Sequence, residues 1–87
     1  MHKFFISQYV SRLTKEDVKT FALKNDIYLD NQELDVIYQN LKQHWETVLY
    51  DNPDRVFEQL KQQLSPESYN KGIQLYQYYH NLYKDYL

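Results

Sequence analysis

Asp51, Asp54 and Glu58 gather around one predicted helix start, and carboxylates so paired can relay a proton or hold a divalent cation. Helix electrostatics account for the same acids, because an acid in a first helical turn stabilises it by about 0.3–1 kcal/mol. Asp26-x-Tyr28-x-Asp30 opens with the spacing of a calcium loop. However, Asn31 stands where such a loop needs glycine and Ile37 where it needs glutamate, so calcium is not expected. His2, His44 and His80 lie far apart and no cysteine exists to complete a zinc site. His44 and Glu46, two residues apart, face different sides of a helix and form no local acid–base pair. A single glycine permits no phosphate cradle, and no Ser or Thr has a nucleophile-elbow context. The residues therefore predict no catalytic site, no metal and no cofactor.

The elements that carry these residues must come from one short chain. At 87 residues a second folded unit is not expected, and residues 1–87 are taken as a single helical domain. Chains this small often need a disulfide, a metal or an oligomer to hold the fold, and the absence of cysteine removes the first. One glycine and two prolines, against many Gln, Lys, Leu and Glu, favour helices over strands. Ten basic and twelve acidic residues are scattered without blocks, for a formal charge of −2, so no phosphate-seeking surface is evident. The apolar run Phe4-Phe5-Ile6 is too short for a signal peptide or a membrane span, and a soluble, cytoplasmic protein is expected.

Periodicity and capping signals predict an all-α fold, a compact array of about five short helices with the last one longest. The first helix covers 2–12, with Phe5, Ile6, Tyr9, Val10 and Leu13 on one side. Thr14 caps a second from Lys15 with Asp17 as its capping-box acid, and Val18, Phe21 and Ala22 form its stripe. After an inward-pointing Ile27 and Leu29, the pair Asp30 and Glu33 caps a third helix that runs to about Tyr50. Asn52 caps a fourth over 53–63, with Pro53 at its first position. Ser65-Pro66-Glu67 opens a fifth over 66–86, where Gly72 inside the apolar arc suggests close approach of a neighbouring backbone, the alternative being a tolerated weakness in the helix.

The order Leu13-Thr14-x-x-Asp17-Val18, Ile27-x-Leu29, a capped helix with Ile37 and Leu41-Lys42, Asp51 ahead of Arg55, then Pro66-Glu67, resembles the YqfT-like proteins of low-GC Gram-positive bacteria. The resemblance spans roughly residues 3–85 and implies an all-helical, cytoplasmic bacterial protein from a family of unknown function. That family typically breaks the third helix with a Gly-Lys pair, where this chain has Gln43-His44-Trp45-Glu46. The resemblance transfers no catalytic residues.

Three functional classes follow, the weakest being binding to an anionic membrane surface through the Phe-bearing first helix with Lys3 and Arg12. The second and third predicted helices could mimic a helix-turn-helix, with Asn and Gln on the reading helix, but Glu33 and Asp35 there would repel phosphate. The stronger signal is aromatic. Tyr76, Tyr78, Tyr79, Tyr83 and Tyr86 crowd the end of the last helix, more than one small core can cover. The expected function is a non-catalytic protein–protein interaction module, binding an unknown partner or itself through Tyr78, Tyr79, Tyr83 and Tyr86. Helix-turn-helix nucleic-acid binding is the alternative.

Overall fold

The computed structural model describes residues 2–86, apart from the side chains of His2 and Tyr86. Five helices follow in order: α1 (His2–Arg12), α2 (Lys15–Lys24), α3 (Asn31–Tyr50), α4 (Asp54–Gln63) and α5 (Pro66–Tyr83), with a 3-10 turn over Lys84–Tyr86. No strand occurs among the described residues.

The capping chemistry sets three of the helix starts. Thr14 Oγ1 accepts the Asp17 N–H at 3.1 Å while Asp17 Oδ2 accepts the Thr14 N–H at 3.0 Å, a closed capping box. Asp30 and Glu33 exchange the same pair of bonds at 2.7 and 3.3 Å. Ser65 Oγ accepts the Ser68 N–H ahead of α5, with Pro66 at the first helical position. At α4 the start falls one residue later than expected. Pro53 itself takes the cap position and Asp54 opens the helix, its N–H held at 3.0 Å by Asn52 Oδ1.

The end of α2 is a Schellman motif. Ile27 N–H bonds to Ala22 O at 2.9 Å and Asp26 N–H to Leu23 O at 3.1 Å, which requires Asp26 in the left-handed region at φ 60°. Ile27 and Ala22, brought together by that turn, are both buried. Here Ile27 turns inward as its sequence position predicts.

α3, with 20 residues, is the hub: it packs against α1, α2 and α4, while α5 packs on α4. α1 runs antiparallel to α3, because Lys3 pairs with Glu46 at 2.9 Å and Lys42 Nζ donates to Val10 O and Ser11 O at 2.7 and 3.1 Å. α5 runs parallel to α3. Glu33 Oε2 accepts the Ser65 N–H at 2.9 Å, and Tyr76 Oη donates to Val48 O at 3.3 Å.

Three further expectations are corrected. The last helix is not the longest: α5 has 18 residues because its final turn tightens to 3-10 geometry, whereas α3 continues unbroken through residue 43. Phe5 and Tyr9 do not share the buried face of α1, for they are 61% and 69% exposed, and among the described side chains of that helix only Val10 is buried. Gly72 does not mark a close backbone approach, since a Cβ added there would meet no heavy atom within 4 Å.

Candidate functional site

An apolar cleft of about 510 Å³ opens where a packed core would be expected. α1 and α2 supply one wall through Tyr9, Val10, Val18 and Phe21, and α4 and α5 supply the other through Phe57, Leu60, Ile73 and Tyr76. Ile37 and Leu41 of α3, the helix packed on both walls, complete the lining. Gly72 lies in the α5 wall, and the space its missing side chain leaves is part of the cleft.

Few side chains are deeply buried around the cleft. Among the described residues the buried apolar ones are Val10, Val18, Ala22, Ile27 and Val56, and no large side chain is fully enclosed. Polar bonds, together with the α3–α4 packing, keep the walls in place. Lys71 Nζ of α5 donates at 2.9 Å to Asp26 O at the end of α2, reaching across from one wall to the other. At the lip, the Phe21 and Tyr79 rings meet at 6.0 Å.

Polar groups inside are few and already engaged. Among the described residues Asp17 is the one charged side chain lining the cleft, and its Oδ2 closes the Thr14 capping box. Outside the lining, Glu33 is buried at 8% exposure, its two oxygens taken by the Ser65 and Asp30 N–H groups. The Ser65 bond leads in holding its carboxyl below the usual glutamate range. Burial raises the Tyr76 phenol above its ordinary value, and Phe57 sits edge-on to that ring at 4.8 Å. Among the described residues no buried side-chain polar atom lacks a partner.

The predicted tyrosine surface divides. Tyr79 lines the cleft, stacks parallel on Tyr83 at 6.3 Å and meets Tyr78 edge-on at 5.1 Å. Tyr78 is 60% exposed and Tyr83 half-exposed, neither of them lining the cleft. Tyr86 falls in the 3-10 turn and its side chain lies outside the described residues. Sequence reasoning missed Phe21, Tyr9 and Gly72 as parts of one surface. Gly72 carried the available signal, a glycine within an apolar helical arc, which marks vacant space here.

The other candidates remain apart. Asp54 and Glu58 line a shallow depression between α4 and α5, while Asp51 accepts the Asn52 N–H. No group of three or more metal-ligating side chains comes together among the described residues. On the helix-turn-helix surface, Lys15 forms an ion pair with Asp35 of α3. No described helix is long and apolar enough to cross a membrane.

No protein-family model, curated protein or solved structure matches the chain.

Proposed function

We propose that this protein is a non-catalytic interaction module that binds a protein partner through the apolar cleft and the aromatic residues at its lip. The observation that carries this reading is the pairing of an open, almost wholly apolar cleft of about 510 Å³ with exposed rings around it: Tyr9, Phe21, Tyr78 and Tyr79. Large exposed apolar patches mark binding surfaces, and aromatic side chains are enriched in such interfaces.

The engaged state of the acids supports the same reading. Glu33, outside the cleft lining, has both carboxylate oxygens bonded at helix starts, and Asp17 commits one oxygen to its capping box. Nucleic-acid binding draws no support from Lys15, whose charge is met by Asp35.

The test is capture of the tagged chain's complex from nuclease-treated native lysate, beside the same chain carrying Tyr79→Lys. A stoichiometric protein that the wild type retains and the variant releases, with helicity unchanged by circular dichroism, is the expected result. For a self-associating chain the retained protein is the untagged chain. Retention of nucleic acid alone, or of a small apolar molecule and no protein, would overturn the reading.

A further inference from the structure

Little burial holds α1 in its place along the cleft. Phe4, Phe5 and Tyr9 are exposed, and among the described side chains of the helix only Val10 is buried. Isolated helices shorter than about 12–15 residues are marginal in water, and α1 has 11 residues with no acid in its first turn to meet the helix dipole. Its order therefore depends on docking to α3.

Two polar latches make that docking. Near the start of α1, Lys3 pairs with Glu46 at 2.9 Å, but both side chains are more than half exposed, and such pairs contribute little. At the other end, Lys42 Nζ donates to Val10 O and Ser11 O at 2.7 and 3.1 Å. Both belong to the last carbonyls of α1, which a helix does not fully satisfy by itself. Lys42 is thus the stronger latch.

Only Leu13 and Thr14 separate α1 from α2. The Thr14–Asp17 capping box starts α2 from within its own first turn, and the Schellman turn ends it with Ala22 and Ile27 buried, so α2 is seated independently of α1. Rotation at Leu13, ahead of the box, lifts α1 alone.

We propose that α1 is a lid on the apolar cleft, hinged at Leu13 and latched by Lys42, and that its opening uncovers the inner lining to the partner. The inference rests on reading the cleft as the binding site and adds how access to that site is controlled. α1 contributes Tyr9, Val10 and Leu13 to the lining, so lifting it removes part of one wall. Val18, in the first turn of α2, is buried at 8% exposure in the same lining. Opening breaks the burial of Val10 and the two latches while the Glu33 bonds that join α3 to α5 remain. It is a local event, separate from global unfolding.

Thiol labelling tests the lid with no partner present, because the chain has no cysteine of its own. Three single-cysteine chains are reacted with a chromogenic disulfide reagent: Val10→Cys on the lid, Val18→Cys in the lining, and Val56→Cys, buried on α4 outside the lining. Val10→Cys and Val18→Cys should react at a common rate, about tenfold or more faster than Val56→Cys. Adding Lys42→Met should speed both by about a further tenfold. Adding Glu33→Gln should instead speed Val56→Cys and leave the other two unchanged, since lid opening does not break the Glu33 bonds. The Glu33→Gln comparison stands even if Lys42→Met disturbs the fold. Acceleration by Lys42→Met at Val10→Cys alone means a helix that frays without uncovering the cleft, and overturns the lid. Equal rates at all three positions, or indifference of the first two to Lys42→Met, overturn it as well. If labelling follows the expected pattern but the chain captures no protein, the lid stands and the interaction module falls.

Discussion

Glu33 is the side chain on which the relation between α3 and α5 most depends. One carboxylate oxygen completes the Asp30 cap of its own helix and the other accepts the Ser65 N–H at 2.9 Å, so a single group joins two helix starts. Hydrogen bonds to charged groups contribute about 1.5–3 kcal/mol, and Glu33→Gln should lower stability by an amount in that range. The sign of the pH dependence follows from the lowered folded-state pKa. The Glu33 contribution is fully present above the unfolded-state pKa and is lost as pH falls through the folded one. Urea denaturation midpoints measured from neutral pH down to acid should therefore fall less steeply for Glu33→Gln than for wild type. Asp26 offers the opposite case. Its left-handed backbone serves the Schellman turn at the cost of a Cβ in that region, so Asp26→Gly should stabilise by about 0.5–1 kcal/mol in the same assay. Half of the Glu33 role was legible, since Asp30-x-x-Glu33 is a local capping pattern. The bond to Ser65, 32 positions away, was not, because no local pattern encodes which distant N–H lies within reach.

At the scale of the helix, α1 is held by few large contacts and by one distant cation. Lys42 Nζ donates to Val10 O and Ser11 O, two carbonyls at the end of α1, and its charge opposes the negative end of that helix's dipole. Lys42→Met keeps the length of the side chain but removes both bonds. Amide exchange within α1 should accelerate by about tenfold, while α3 exchange changes little. In α5, Gly72 weakens the helix without relieving any clash. Gly72→Ala is expected to raise stability by about 1 kcal/mol, read from thermal unfolding of the folded chain. The helix boundaries were largely legible because Thr14, Asp30 and Ser65 act within a few residues of themselves. The meaning of Gly72 was not. A gap in an apolar arc looks the same in sequence whether a backbone or empty space lies opposite.

Across the whole molecule, compact dimensions coexist with an open interior. The helices are fastened at their ends by Glu33, Lys42 and Lys71, while the apolar middle is left divided by the cleft.

The order of five helices, the capped starts of α2, α3 and α5 and the absence of strand periodicity were determined by the sequence itself, because capping and amphipathic spacing act over a few residues. The tertiary structure decided which apolar faces meet. The Phe5–Tyr9 side of α1 looked like a core stripe by periodicity, yet its neighbours in space leave it exposed. Tyr79 and Tyr83 look alike in sequence, but Tyr79 lines the cleft and Tyr83 does not. Local spacing specifies a helix face, whereas the partner of that face depends on how α3 and the bonds from Glu33, Lys42 and Lys71 set the helices against one another.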